Sequence, residues 1–347
     1  MKIEKIKESR INTVDFKNLD FGGVFTDHMY SCDFIDGKWI NSEITPYKPI
    51  TVSPASRVFH YGQACFEGMK AFKDNNDKTW LFRPIDNYER IIKSSKRLAM
   101  PEFPKDLFFN ALHNLLKIDA DWIKPGFGNS LYIRPFIFAS EGTINATEAR
   151  EYKFMIICAP ASSYYSGEVR VKIEKSFSRA AKGGVGYAKA AGNYAAQFYP
   201  TILAKNEGYQ QIIWTDSSTH EYIEEAGTMN LFFRIGNKLI TAPTSDSILD
   251  GITRKSLIQI AKDENIDVEI RPLLVSELID AANNGSLFEI FGSGTAVVVL
   301  PILGFGYENN KYELPIKENS WANLLKNKLN NIQYNVSKDP YGWTIEV

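Results

Sequence analysis

The chain has 347 residues, a net charge of −1, 44% hydrophobic residues and 23% charged residues. This length predicts about two domains, and the balanced charge gives no electrostatic reason to expect nucleic acid or membrane as a partner. Apolar runs are too short to span a bilayer and the N-terminus has no apolar signal core, which predicts a cytoplasmic protein. Cys32, Cys65 and Cys158 form no C-x-x-C pair, so we expect free, buried thiols.

The N-terminal part is predicted to mix helices and strands. A hairpin is predicted over 31–43, because Asp36-Gly37 is a turn signal between two strand-like runs. The next predicted elements are strands at 70–72 and 79–82, helices at 86–100 and 104–123, and strands at 131–139 and 154–158. The small residues of 160–167 are typical of a linker or lid, and we place the domain boundary there.

Helical and strand patterns alternate beyond that boundary. A helix is predicted over 193–207, which Pro200 should kink or break. The other predicted elements are strands at 211–215, 229–234, 268–271 and 287–291, and helices at 253–264, 276–284 and 320–332. We therefore predict a small α+β domain over 1–160, a linker or lid over 161–170, and a larger α/β domain over 171–347.

Lys189 is the strongest chemical signal, because it lies among the glycines and alanines of 183–192. Partial desolvation lowers the pKa of a lysine so that its amine condenses with a carbonyl, and small neighbours let a bulky ring approach the backbone. Pyridoxal phosphate is the cofactor that fits such a site. The alternative is an ordinary exposed lysine in a glycine-rich loop.

A pyridoxal phosphate site also needs a carboxylate at the pyridine nitrogen and a cradle for the phosphate. Glu224 and Glu225 precede a strand, and the alternation of side chains cannot choose between them; a surface acidic pair is the alternative. The helix start at 251–254 and the loop at 292–296 offer backbone N–H groups to a phosphate. Arg90 could add charge, although a solvated helix arginine is more common.

Other enzyme classes are poorly supported by the sequence. The glycines at 183–186 lack the G-x-G-x-x-G spacing of a dinucleotide site, and no Walker lysine pattern occurs. The four histidines are scattered without the spacing of metal ligands, so no metal site is predicted. A nonenzymatic binding module remains as an alternative, which a protein that stays colourless after addition of the cofactor would favour.

Five motifs together resemble the branched-chain aminotransferases, which are fold-type IV pyridoxal phosphate enzymes. They are FEGMKAF at 66–72, LYIRP at 131–135, AAGNY at 190–194, EAGTMN at 225–230 and FGSGTA at 291–296. The similarity runs from about Phe21 to the C-terminus in one order. It is closest to the longer form of the family, through FTDHM at 25–29 and the GTMN part of the fourth motif.

The resemblance implies roles for individual residues. Lys189 matches the lysine that forms a Schiff base with pyridoxal 5′-phosphate and moves the proton, and Glu225, rather than Glu224, matches the partner of the pyridine nitrogen. Tyr194 matches the tyrosine at the phenolic oxygen. The residues that match the phosphate cradle are Arg90, Ile252, Thr253 and Thr295.

Matches to the substrate site are also implied by the resemblance. The residues matched to recognition of the substrate carboxylate are Tyr61, Thr228 and Ala296. Those matched to the apolar side-chain pocket are Phe25, Tyr132 and one of Tyr164 and Tyr165. Arg134 matches the residue that helps accept the distal carboxylate of glutamate.

The resemblance implies a homodimer that exchanges amino groups between leucine, isoleucine or valine and 2-oxoglutarate. Its partners would be small molecules, namely branched-chain amino acids, glutamate and 2-oxo acids. The alternatives are a D-amino acid aminotransferase and an aminodeoxychorismate lyase, which usually have shorter chains and lack this combination of motifs. Some long-form members carry a C-x-x-C pair where this chain has valines and a leucine at 297–300, so we expect their thiol switch to be absent.

Overall fold

The computed structural model describes residues 1–162, 168–315 and 318–347. Proximity of Cα atoms divides the chain into two compact units, each described by itself below. The described residues of the first unit are 1–162, 188–192 and 331–347. Those of the second unit are 168–187, 193–315 and 318–330. The chain therefore enters each unit more than once.

The N-terminal part of the first unit contains eight strands and three helices in the described residues. In chain order they are β1 (Lys2–Ile3), β2 (His28–Ile35), β3 (Lys38–Pro46), α1 (Arg57–Tyr61), β4 (Ala64–Phe66), β5 (Met69–Lys73), β6 (Thr79–Phe82), α2 (Pro84–Arg97), α3 (Lys105–Ile118), β7 (Ser130–Ala139) and β8 (Tyr152–Ala161). Short 3-10 helices lie at Arg10–Thr13 and Ala120–Trp122.

The elements that follow β8 are, in chain order, β9 (Arg170–Ile173), α4 (Ala191–Ala195), α5 (Phe198–Asn206), β10 (Gln211–Thr215), β11 (Tyr222–Ala226), β12 (Asn230–Ile235), β13 (Lys238–Thr241), α6 (Ile252–Asp263), β14 (Asp267–Ile270), β15 (Leu273–Leu274), α7 (Val275–Asn283), β16 (Leu287–Gly294), β17 (Val298–Ile302), β18 (Gly304–Tyr307), β19 (Asn310–Glu313), α8 (Trp321–Gln333) and β20 (Thr344–Glu346). The last strand belongs to the first unit.

A nine-stranded sheet organises the first unit. Its order is β1-β3-β2-β8-β7-β5-β6-β20, and β4 pairs with β7. The predicted hairpin is present as β2 and β3. Asp36 and Gly37 have φ of 51° and 76°, and tight two-residue hairpin turns commonly need such left-handed values at both positions. Strands β7 and β8 are buried along most of their length, as expected for the middle of a sheet.

Two further sheets organise the second unit. One has the order β15-β11-β10-β9-β18-β19 and the other β14-β13-β12-β16-β17. The predicted helix at 193–207 is interrupted, so that α4 and α5 are separate. Pro200 does not cause this break, because it lies in the first turn of α5, where its missing N–H removes no helical hydrogen bond.

Two features differ from the predicted organisation. The C-terminal residues group with the first unit because β20 pairs antiparallel with β6, so the first unit holds more described residues than the second. Residues 292–294 lie inside strand β16 rather than in a loop after it, because they pair with β12 and β17. The mixed sheets and helices confirm the predicted α+β and α/β character.

Candidate functional site

Lys189 belongs to a cluster in the first unit that we call the lysine cluster: Phe66, Glu67, Arg90, Arg134 and Lys189. The backbone of Lys189 is attached to strand β4, since the Phe66 N–H donates to the Lys189 carbonyl over 3.1 Å. The Lys189 N–H donates to Ser94 Oγ of α2 over 2.9 Å. The N–H and the carbonyl of Lys189 are therefore both hydrogen-bonded, which fixes the backbone of this residue.

The surroundings of the Lys189 amine lower its pKa. Its Nζ atom lies 4.7 Å from the centre of the Phe66 ring. Burial lowers the pKa of Lys189 to about 8, and the positive charge of Arg90 contributes in the same direction, while the carboxylate of Glu67 opposes it. A larger fraction of this amine is therefore neutral and nucleophilic at physiological pH than in an ordinary lysine.

Glu67 holds Arg90 in a buried ion pair. The Glu67 carboxylate accepts from Arg90 Nε over 2.7 Å and from Arg90 Nη2 over 2.9 Å. It also accepts from Asn87 Nδ2 over 2.7 Å and from the Gly68 N–H over 3.1 Å. These bonds fix the arginine in the first unit, whereas its contact with a phosphate stays a prediction.

Arg134 lies between two aromatic rings. Its Cζ atom is 4.4 Å from the centre of the Phe66 ring and 5.3 Å from that of Tyr132, and its Nη2 donates to the Tyr132 hydroxyl over 3.0 Å. Its Nε is buried and has no hydrogen-bond partner in the described part of the chain. A buried donor on a cation suits an anionic ligand.

Tyr132 depends on the glycine of the FEGMKAF motif. A Cβ atom at Gly68 would lie 2.1 Å from the Tyr132 hydroxyl oxygen, so only glycine allows this position of the ring. Phe21 also packs edge-on against Tyr132, with 4.9 Å between ring centres. The motif thus shapes the surroundings of Tyr132 as well as those of Lys189.

The other predicted substrate residues of the N-terminal region are placed differently. Tyr61 ends α1, is 46% exposed, and its hydroxyl donates to the carbonyl of Ile144. Phe25 stacks on Tyr47 with 4.8 Å between ring centres. Phe21 rather than Phe25 therefore has a described ring contact with Tyr132. Tyr164 and Tyr165 lie outside the described residues.

A second group, in the second unit, is called the carboxylate cluster: Arg179, Glu225, Asn230 and the N-terminus of α6. Glu225 is buried in β11, and its Oε1 lies 2.8 Å from Arg179 Nη1. Its Oε2 accepts from Asn230 Nδ2 over 3.0 Å. Arg179 also donates to the carbonyl of Ser247 over 2.7 Å. The buried Glu225 carboxylate therefore has a cationic partner and a second hydrogen-bond donor.

Glu224 is also partly withdrawn from solvent, although alternation along a strand turns the neighbour of an inward-facing side chain to the opposite face. The side chain is half-buried and accepts a hydrogen bond from the Ser247 hydroxyl, while its Oε2 is buried without a partner among the described residues. Burial raises the pKa of Glu224. Both carboxylates are thus withdrawn from water, but within the described ranges only Glu225 has a directly bonded cation.

The predicted phosphate cradle lies partly in α6. Ile252 and Thr253 are its first two residues, both buried, and no side chain caps the helix at Gly251. Such a helix start presents N–H groups without acceptors inside the helix, which favour an anion. Arg254, the third residue, is bonded instead to the Ala242 carbonyl over 2.7 Å.

The second predicted phosphate segment is close to the predicted substrate segment. Thr295 and Ala296 lie half-buried in the turn after β16, and Thr228 lies in the turn between β11 and β12. A Cβ at Gly294 would be 3.2 Å from the Thr228 carbonyl, so the two turns are adjacent. Tyr194 lies half-buried in α4.

The sequence patterns had not singled out four residues of these two clusters. Phe66 and Glu67 lie inside a recognised motif, so their proximity to Lys189 had a local signal. Asn230 likewise lies inside a recognised motif, close to Glu225 in sequence. Arg179 lies outside every motif and becomes relevant only through its contact with Glu225. Because that contact joins distant segments, one sequence does not reveal it.

Comparison with known proteins identifies the family. The sequence model of the family described as Amino-transferase class IV matches residues 64–305. The chain belongs to the class IV aminotransferases. A probable branched-chain-amino-acid aminotransferase from Staphylococcus epidermidis is 42% identical over 100% of this chain and 98% of its own length. The predicted family is thereby confirmed.

Solved structures agree with this aminotransferase fold. The branched-chain aminotransferase of Thermoproteus uzoniensis, crystallised with norvaline, aligns with a TM-score of 0.74 at 23% identity, covering 91% of this chain and 99% of that one. The branched-chain amino acid aminotransferase of Escherichia coli aligns with a TM-score of 0.71 at 23% identity, covering 91% of this chain and 98% of that one. At these identities the likeness shows the fold.

Class IV aminotransferases depend on pyridoxal 5′-phosphate, and the described residues match its chemistry. The first unit contains a lysine with a lowered pKa, and the second contains a buried carboxylate and an uncapped helix start. The hydroxyl of Ser293 is buried without a partner in the described ranges, which leaves a donor for a ligand. No described helix is long and apolar enough to cross a membrane, and no group of described residues suits a metal ion.

Proposed function

We propose that this class IV aminotransferase transfers the amino group of leucine, isoleucine or valine reversibly to 2-oxoglutarate in a ping-pong reaction. The observation that carries the proposal is the environment of Lys189, whose amine is made nucleophilic next to an arginine with a buried donor. The full-length similarity to proteins named for branched-chain substrates supports the choice of substrate.

Lys189 and Glu225 would have separate roles, which their charges and positions determine. When bound, pyridoxal 5′-phosphate supplies an aldehyde for the substrate amine and a ring that withdraws electrons from the substrate Cα. Lys189 would release the cofactor to the amino acid and then, as a free amine, move a proton from Cα to C4′. Glu225 would keep the pyridine nitrogen protonated.

The remaining cofactor contacts are proposed from the family resemblance. Tyr194 would donate to the phenolic oxygen. The residues proposed to hold the phosphate are Arg90, Ile252, Thr253 and Thr295. The uncapped start of α6 supports the roles of Ile252 and Thr253, because its N–H groups are available to an anion. Thr228 and the Ala296 amide would bind the substrate carboxylate, supported by their adjacent turns.

An amino-donor panel with 2-oxoglutarate tests the proposal. Glutamate should form from L-leucine, L-isoleucine and L-valine, and borohydride treatment should attach the cofactor to the peptide that contains Lys189. Transfer from D-amino acids would support the D-amino acid aminotransferase instead, and pyruvate released from aminodeoxychorismate would support the lyase. A protein that binds no cofactor would be a binding module.

Arg134 is proposed to accept the distal carboxylate of glutamate, while Tyr132 and Phe25 give apolar walls to branched side chains. A hydrogen bond to a charged group contributes about 1.5–3 kcal/mol, or roughly 10–150-fold in an equilibrium. Arg134→Met should therefore lower kcat/KM of the glutamate half-reaction by about that factor and spare the leucine half-reaction. Each half-reaction can be followed separately through the absorbance of the cofactor.

Arg150→Met is the matched control, because this arginine is exposed and bonded to Glu141. It should leave both half-reactions unchanged. Equal losses in the two half-reactions of Arg134→Met would mean that Arg134 supports the Tyr132 ring and that the glutamate site lies elsewhere.

A homodimer is proposed on the basis of an apolar face on α5. Phe198, Tyr199 and Ile202 are 62%, 61% and 54% exposed, and exposed apolar patches of this kind commonly mark protein interfaces. Ile202→Glu should weaken the dimer because it places a charge in a dry contact, whereas Asn323→Glu, at an exposed position of α8, should not. Light scattering after gel filtration measures both; a monomeric wild-type protein would contradict the proposal.

Oxidation should have little effect on the activity of this enzyme. Free thiols also agree with the proposed cytoplasmic location. All three cysteines are free and buried. Burial raises the pKa of Cys65 to about 12 and raises those of Cys32 and Cys158 as well, so reactive thiolates are scarce. Mild peroxide followed by reductant should leave activity and nonreducing gel mobility unchanged. Reversible inactivation that follows disulfide formation would contradict this expectation.

A further inference from the structure

Asn230 connects the Glu225 carboxylate to the segment just before α6. Its Nδ2 donates one hydrogen bond to Glu225 Oε2 over 3.0 Å and another to the carbonyl of Leu249 over 2.9 Å, just before α6. We propose that Asn230 is a positioning residue that fixes the spacing between the Glu225 carboxylate and the N-terminus of α6. This inference rests on the proposed function, in which those two groups hold opposite ends of the cofactor.

The geometry leaves Asn230 little freedom. The residue is only 6% exposed, and strand pairing with Ser293 fixes its backbone in β12. Its Oδ1 packs against Gly251, where a Cβ atom would lie 1.9 Å from that oxygen. Each of the two amide hydrogens therefore has an acceptor, and the carbonyl side is enclosed by the residue that precedes α6.

Asparagine suits this position for a chemical reason. A single planar amide nitrogen carries two donors, so one group can bind a carboxylate and a backbone carbonyl at once. Aspartate has the same shape, but it has no such donors and its charge would repel Glu225. Serine has one hydroxyl donor and could serve at most one of the two acceptors. Arg179 also joins Glu225 to this segment through the Ser247 carbonyl, whereas Asn230 does so at Leu249, nearer the start of α6.

A residue that sets this spacing should affect both ends of the cofactor. Glu225→Gln leaves the bond from Asn230 to the Leu249 carbonyl in place, so it should act mainly at the ring end and weaken pyridoxal 5′-phosphate and pyridoxal, which lacks the phosphate, by a similar factor. Asn230→Ser should weaken both and, in addition, lower the ratio of their affinities, because the helix start is no longer held at the correct distance. Loss of a bond to a charged group predicts about 10–150-fold weaker binding of pyridoxal 5′-phosphate.

The experiment measures dissociation constants of the apoenzyme for pyridoxal 5′-phosphate and for pyridoxal by absorbance titration. Asn284→Ser is the matched control, since Asn284 is exposed in the same unit. Gly251→Ala is the second variant and keeps every hydrogen-bonding side chain, but its Cβ must displace the Asn230 amide. It should lower the affinity ratio as Asn230→Ser does, and it keeps the inference testable if Asn230→Ser does not fold.

The outcomes separate the inference from the proposed function. A lowered affinity ratio in Asn230→Ser or in Gly251→Ala, with Asn284→Ser like the wild type, supports the positioning role. An unchanged ratio in the folded variants overturns it, even if transamination by the wild type is intact. A wild-type apoenzyme that binds neither compound would instead refute the proposed function.

Discussion

Lys189→Ala should abolish nearly all transamination while the protein still binds pyridoxal 5′-phosphate without a covalent bond. General acid–base catalysis alone contributes about 10²–10⁴-fold, and the variant also loses the amine that exchanges the cofactor, so we expect a loss of at least about 10⁴-fold. The measurement is the single-turnover rate with leucine together with borohydride labelling. Lys182→Ala, an exposed lysine of the same segment, is the control and should retain both activity and label.

The lowered pKa of Lys189 predicts how the capture of the cofactor depends on pH. With a pKa of about 8, roughly one amine in ten is neutral at pH 7, against about one in 2,500 for an ordinary lysine. Capture of pyridoxal 5′-phosphate by the apoenzyme should therefore rise with pH up to about 8 and then level off. A rate that keeps rising to pH 10, or a label on another lysine, would contradict the assignment.

Local signals in the sequence predicted most of the described elements. The Asp36-Gly37 pair marks a two-residue turn through backbone conformation alone, and the hairpin is found where the signal places it. The sequence patterns do not predict strands β9, β13 and β19, although they predict β6 and β14, which are equally short, so length alone does not decide whether a strand is detected. The glycines of 292–294 resemble a loop because the pairing that makes them a strand comes from β12 and β17.

The site shows the same division between local and long-range information. The sequence singles out Lys189 because its small neighbours are adjacent in the chain. The Glu67–Arg90 pair is 23 residues apart, and its formation depends on how α2 packs near β4. Pairing of Arg179 with Glu225 likewise depends on tertiary structure, and it distinguishes Glu225 from Glu224 where strand alternation did not. Motifs therefore predict the residue types, whereas charge partners require the fold.

Glu225→Gln and Glu224→Gln should differ in both stability and rate, although the two residues are neighbours. Glu225 is the direct partner of the buried Arg179 guanidinium, and removal of one charge from a buried pair costs about 3–5 kcal/mol. The substitution also removes the anion proposed for the pyridine nitrogen. We expect a lower midpoint of urea denaturation and a greatly reduced single-turnover rate with leucine.

Glu224→Gln is the matched control, because glutamine retains an oxygen that accepts from the Ser247 hydroxyl. Burial already raises the pKa of Glu224, so replacement by a neutral amide removes a charge that the site does not favour. Its free energy of unfolding should change by no more than about 1 kcal/mol, in the range of one neutral hydrogen bond. If Glu224→Gln lost as much rate as Glu225→Gln, the assignment of the ring partner would be one residue out of register.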